Sequence, residues 1–116
     1  MLSGLSVRNV VLIEALDLDF DRGLTALTGE TGAGKSILLD ALGMATGARS
    51  DRGLVRSGTT KAQCTASFTL PDNHAAWAVL DDHDIEAEKS EDVTLRRTVT
   101  SEGRSRAFVN DQAVSV

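Results

Sequence analysis

One cysteine, Cys64, and two histidines, His74 and His83, are all that the 116 residues offer of thiol and imidazole chemistry. A lone thiol cannot close an intramolecular disulfide, and these three side chains cannot complete a four-ligand structural zinc site. Long hydrophobic runs are absent too. The longest aliphatic stretches, Val10-Val11-Leu12-Ile13 and Ile37-Leu38-Leu39, fall far short of the roughly 18 residues a spanning helix needs. No basic-then-apolar leader precedes a cleavage site, and no internal repeat or low-complexity tract is present. With 41% apolar and 25% charged residues, the expectation is one ordinary globular domain, 1–116, in the cytosol and with no membrane partner.

Positive charge is scarce as well: the net charge is -5. Its distribution says more than its total. Residues 72–92 hold Asp72, Asp81, Asp82, Asp84, Glu86, Glu88, Glu91 and Asp92 against Lys89 alone, so the rest of the chain is slightly basic. Arg49, Arg52, Arg56 and Lys61 form one group opposed by Asp51, and Arg96, Arg97, Arg104 and Arg106 form another. A domain-wide footprint for nucleic acid is excluded, whereas a local one is not.

Hydrophobic periodicity orders the chain. Leu2 to Phe20 reads as two strands, the second with Leu16, Leu18 and Phe20 on one face and Asp17, Asp19 and Asp21 on the other. Those three aspartates are no calcium loop, because Arg22 stands at the sixth position and Thr28 at the twelfth, where glycine and glutamate are needed. Arg22-Gly23 turns the chain into a short buried strand, Leu24 to Thr28. Ile37, Leu38, Ala41, Leu42 and Ala45 recur at helical spacing, predicting a helix from near Lys35 that Gly47 stops. Residues 48–61 read as a loop.

Strict alternation then resumes, with Ala62, Cys64, Ala66, Phe68 and Leu70 on one face, which makes Cys64 a small core residue. A short helix is expected from Ala75 to about His83, with cap signals in Asp72-Asn73. An acidic loop leads to a strand from Val93 to Thr100, a turn at Ser101-Glu102-Gly103, a strand from Arg106 to Val109 and a turn at Asn110-Asp111. Ala113 to Val116 reads as the start of a further strand without a terminating signal.

The chemistry lies in Gly29-Glu30-Thr31-Gly32-Ala33-Gly34-Lys35-Ser36, which fits G-x-x-x-x-G-K-[ST] between an expected buried strand and an expected amphipathic helix. Glycines let the backbone curl so that successive N–H groups, those of Gly32 to Ser36 especially, point at phosphate oxygens, and the helix N-terminus adds positive potential. Lys35 is the residue expected to bridge the β- and γ-phosphates of ATP, and the Ser36 hydroxyl to ligate Mg²⁺. The dinucleotide fingerprint fails, because Ile37 stands where G-x-G-x-x-G needs its third glycine. Hydrolysis also requires a carboxylate-bearing strand. The local candidate, Ala76-Trp77-Ala78-Val79-Leu80-Asp81-Asp82, reads as a surface helix, so the catalytic carboxylates are expected outside this chain.

The flanks make the motif specific. Arg8-Asn9-Val10-Val11-Leu12-Ile13, the run from Leu24 through the motif to Leu42, Gly47-Ala48-Arg49-Ser50-Asp51 and Gly103-Arg104-Ser105-Arg106-Ala107-Phe108-Val109-Asn110 together resemble the amino-terminal part of the RecN family of bacterial DNA repair proteins. These are relatives of the SMC proteins with an ABC-type ATPase head. The likeness covers nearly the whole chain, with Asp111 standing where a glycine would commonly complete an Asn-Gly turn.

The resemblance implies an α/β fold, the N-terminal lobe of an ABC/SMC-type P-loop head with a mixed, partly antiparallel sheet. It implies an ATPase acting on DNA ends or single strands in double-strand break repair by recombination. The head is completed by the C-terminal half of the same long chain beyond an antiparallel coiled coil. That half brings the signature motif, the Mg²⁺-site aspartate and the catalytic glutamate, and two heads sandwich ATP as a homodimer. By the same resemblance Arg8 and Asn9 lie beside the nucleotide, the alternative being an ordinary edge or loop pair. Arg49, Arg52 and Arg56 face DNA, the partner head or solvent, and Arg104 and Arg106 carry a weaker version of that reading. An SMC-like ATPase with another cargo and a non-catalytic nucleotide-binding module remain the alternatives.

Overall fold

The computed structural model describes residues 2–11, 13–19, 32–48, 52–89 and 91–115, with residues 32–37 and 52 described by their backbone alone. Strands β1 (Leu2–Val10) and β2 (Ile13–Asp19) form a hairpin, as the two apolar segments predict. Helix α1 (Gly32–Ala45) is followed by a short 3-10 turn (Arg52–Leu54), then β3 (Lys61–Phe68), helix α2 (Ala76–Asp82), β4 (Val93–Thr100), β5 (Ser105–Val109) and β6 (Gln112–Val114). The described strands make a six-stranded sheet in the order β2-β1-β3-β4-β5-β6, every neighbouring pair antiparallel. The expected strand Leu24 to Thr28 lies outside the described residues.

Register decides the two faces. One cross-sheet row runs Leu16, Val7, Cys64, Arg97, Ala107, Val114, and the next runs Leu18, Leu5, Ala66, Leu95, Val109, Gln112. This inner face carries both helices. Ala41, Met44 and Ala45 of α1 share a buried cluster with Leu5, Val7, Val10, Ala62, Cys64, Ala66 and Val99. Trp77 and Leu80 of α2 cluster with Val93 farther along the same face, where Leu70, Leu95 and Val109 pack against them. The outer face shows the intervening residues, in the row Asp17, Ser6, Thr65, Arg96, Phe108, Ala113.

Several local expectations shift. Helix α1 begins at Gly32, three residues before Lys35. Glycine costs a helix roughly 1 kcal/mol, and the stripe of Leu38, Ala41, Leu42 and Ala45 against the sheet outweighs that cost. The segment read as an unbroken loop contains the 3-10 turn and an antiparallel bridge between Val55 and Val10. Strand β3 stops at Phe68, leaving Leu70 outside it. Helix α2 takes its cap from neither Asp72 nor Asn73: the Ala76 N–H donates to His74 Nδ1 at 3.0 Å.

Turns follow their residues. At Asn110-Asp111 both φ angles are positive, 48° and 63°, the signature of the two-residue turn that matches strand twist. Aspartate therefore adopts the left-handed conformation usually left to glycine. Side-chain bonds hold it there: Asp111 Oδ1 meets Arg96 Nη1 at 3.2 Å, and Asn110 Oδ1 accepts the Thr94 N–H at 2.9 Å.

Candidate nucleotide site

Of the expected phosphate-binding motif, Gly29, Glu30 and Thr31 lie outside the described residues. Gly32, Ala33, Gly34, Lys35 and Ser36 form the opening residues of α1, described by their backbone. The first N–H groups of a helix have no intrahelical acceptor, and they sum with the macrodipole to a site for anions. No acidic residue occupies the first turn to compete for them. A phosphate chain therefore fits the donor set, and Lys35 and Ser36 follow from adjacent positions on the same turn.

The other end of α1 is fixed with unusual thoroughness. Gly47, at φ 107°, lets the chain turn back so that its N–H reaches the Met44 carbonyl at 3.4 Å and the Ala48 N–H reaches the Gly43 carbonyl at 2.8 Å. This paired pattern closes a helix with a left-handed glycine. Thr46 adds its hydroxyl, donating to the Leu42 carbonyl at 3.0 Å. Arg97 then arrives from β4: its Nη1 donates to the carbonyls of Met44 at 3.2 Å and Ala48 at 3.0 Å, while Nε donates to Ser105 Oγ at 2.6 Å. With 3% exposure, the guanidinium is a buried charge, and no carboxylate pairs with it among the described residues. The negative end of the helix takes that place.

Sequence reasoning grouped Arg97 with Arg96, Arg104 and Arg106 and missed this role. The signal was available in the alternation of β4: Val93, Leu95 and Val99 face the core, and Arg97 shares their parity.

Arg8 and Asn9 sit at the end of β1. Arg8 donates through Nη1 to Asp17 Oδ1 at 2.9 Å and through Nη2 to Asp17 Oδ2 at 3.0 Å, across the hairpin. Its Nη1 also reaches the Val7 carbonyl at 2.9 Å. Hydrogen bonds from Arg8 first and Ser6 second hold the Asp17 carboxyl below its usual range. Asn9 has φ 56° and Val11 φ 50°, on either side of the fully buried Val10. Those kinks let the strand end accept a second segment: the Arg56 N–H donates to the Asn9 carbonyl and the Val11 N–H to the Leu54 carbonyl, both at 2.8 Å. Arg56 is thus tied to Asn9 through backbone, Arg52 lies in the 3-10 turn, and Arg49 is outside the described residues.

Charge gathers on the outer sheet face. A shallow groove of about 360 Å³ is lined by Lys61, Gln63, Arg96, Thr98, Thr100, Arg104, Arg106 and Phe108, with no carboxylate among the described residues that line it. The Arg96 guanidinium lies 4.2 Å from the Phe108 ring centroid, a cation–π contact. Cys64, by contrast, is sealed in the core, its thiol pushed up to about 12 by burial. Asp81 and Asp82 end the exposed side of α2 rather than a strand, as the helical reading of 76–82 expects. No described helix is long and apolar enough to cross a membrane.

Comparison with known proteins gives the family and the fold. The sequence model of a family described as an AAA domain matches residues 5–114. Among curated proteins, the chain is 42% identical over 98% of its length to DNA repair protein RecN of Vibrio cholerae, spanning 20% of that protein. It is 40% identical over its whole length to DNA repair protein RecN of Bacillus subtilis, again spanning 20%. The chain therefore covers about a fifth of the curated relatives it matches. Among solved structures, an Smc head bound to the C-winged helix domain of ScpA aligns with TM-score 0.74 at 21% identity, over 98% of this chain and 36% of that one. The recombination mediator protein RecF aligns with TM-score 0.71 at 16% identity, over 100% of this chain and 28% of that one. At such identities these two likenesses establish the fold alone, which the chain shares with part of an Smc head and part of RecF.

Proposed function

The chain belongs to the AAA-domain family, and from that premise we propose that it is the nucleotide-binding portion of a RecN-like ATPase that couples ATP hydrolysis to DNA in double-strand break repair by recombination. The observation that carries the reading is the start of α1 at Gly32, inside the G-x-x-x-x-G-K-[ST] pattern. It supplies a row of N–H donors that have no intrahelical acceptor where phosphates are expected. Gly29 to Gly34 cradle the phosphates, Lys35 holds the β- and γ-phosphates, and Ser36 holds Mg²⁺, which when bound neutralises charge developing on the phosphates. The family likeness adds Arg8 and Asn9, near the end of β1, as residues flanking the nucleotide.

Asp81 and Asp82 sit on a helix, so the carboxylates that orient water are supplied by the C-terminal half of the same head, and two heads close on ATP as a homodimer. DNA, as ends or single strands, lies against the outer face, where Lys61, Arg104 and Arg106 are exposed and no described acid lines the groove. The protein works in the cytoplasm at the nucleoid.

Lys35→Ala in the complete protein tests the site. ATP turnover is expected to vanish while the fold persists, since Lys35 is asked to stabilise charge rather than to pack. Unchanged turnover would sink the assignment.

A further inference from the structure

Helix α1 must hold its N-terminal turn in register with a nucleotide, and its packing on the sheet is apolar. Ala41, Met44 and Ala45 share the core cluster with Leu5, Val7, Val10, Ala62, Cys64, Ala66 and Val99, and apolar burial is non-directional. Directional contact comes from Arg97, which spans from β4 to two carbonyls at the end of α1 and is itself anchored by Ser105 of β5.

We propose that Arg97 is a positioning residue for nucleotide binding, setting the tilt of α1 so that the backbone of Gly32–Ser36 meets the phosphates. The proposal rests on the nucleotide reading above. Lys35 lies nine residues before Met44, about 13 Å along a helix rising about 1.5 Å per residue. A tilt of about 4° about the Arg97 contact therefore moves Lys35 by about 1 Å, a displacement that can cost about a hundredfold in rate. Burying a guanidinium without a carboxylate is expensive. Ordinary core packing at this position, in the row of Val7, Cys64 and Ala107, is met more simply by an aliphatic residue. An arginine does what an aliphatic residue cannot: its planar guanidinium donates from Nη1 to the Met44 and Ala48 carbonyls while Nε holds Ser105 Oγ.

The test uses the complete protein with Arg97→Met, Arg97→Lys and Ser105→Ala, each measured for ATP turnover per folded molecule. Arg97→Met is expected to lower kcat/KM about 30- to 100-fold. Arg97→Lys, which keeps one charged donor, should recover to within about fivefold of wild type, and Ser105→Ala should lose about threefold while folding normally. Hydrogen exchange should show weaker protection of the Gly47 and Ala48 amides in Arg97→Met without nucleotide present. If Arg97→Met or Ser105→Ala lowers the melting temperature but leaves kcat/KM within about twofold, Arg97 is a structural residue and the proposal falls alone. If the wild-type protein binds no ATP, the nucleotide reading falls and takes this role with it.

Discussion

Arg8 and Asp17 meet across the β1–β2 hairpin as a two-pronged pair, Nη1 to Oδ1 at 2.9 Å and Nη2 to Oδ2 at 3.0 Å. The guanidinium and the carboxylate lie in parallel, with Ser6 Oγ donating a further bond to Asp17 Oδ1 at 2.6 Å. Both side chains remain open to water, at 40% and 67% exposure, so the pair orients Arg8 more than it stabilises the fold.

Acid titration should reveal the pair. The Asp17 carboxyl is held below its ordinary value by Arg8 and then Ser6, so its contribution to stability is present above the unfolded value near about 3.9. It is lost as pH falls through the lower folded value. Carboxyl-carbon NMR should place the Asp17 midpoint below that of an exposed aspartate. Asp17→Asn should remove this part of the acid limb by lowering stability slightly at neutral pH, the difference from wild type vanishing as pH falls through the folded value. A midpoint at or above the ordinary value contradicts the paired geometry.

Asp111 separates backbone strain from charge. Its φ of 63° suits glycine, while its carboxylate meets Arg96. Asp111→Gly relieves a left-handed side chain worth roughly 1 kcal/mol and gives up an exposed ion pair worth roughly 0–1 kcal/mol, for a net change near zero. Asp111→Ala keeps the strain and removes the pair, so it should be the less stable of the two by about 1 kcal/mol. Equal unfolding midpoints for the two variants would show that the turn does not hold this conformation.

Cys64 should behave as a core residue. Fully buried, with its thiol pushed up to about 12, it should resist alkylation at a pH of about 8 and react only on unfolding. Cys64→Ser places a hydroxyl in the apolar row beside Val7 and should cost about 1–3 kcal/mol in denaturant melts. Rapid alkylation of the folded chain would place Cys64 at a surface instead.

The outer groove makes a salt-dependent prediction. In the complete protein, Arg104→Glu combined with Arg106→Glu should weaken DNA binding and flatten the plot of log K against log salt, by about 0.7–0.9 for each phosphate no longer neutralised. A slope unchanged by both substitutions would move the DNA surface elsewhere.

Sequence spacing by itself determined much of this molecule, because strand alternation and helical periodicity are local properties. The period of two predicted β4 from Val93 to Thr100 and placed Cys64 in the core; the period of 3.6 placed Ala41 and Ala45 on the buried face of α1, and Gly47 marked its end. The G-x-x-x-x-G-K-[ST] pattern is readable for the same reason, since its glycines, lysine and serine lie within eight consecutive residues. Periodicity names a face but not what lies over it. Arg97 finds the end of a helix 53 residues earlier in the chain, and Asn9 receives the segment around Arg56. Only the packing of α1 across an antiparallel sheet brings those groups within bonding distance, and a buried charge then takes whichever acceptors that packing provides.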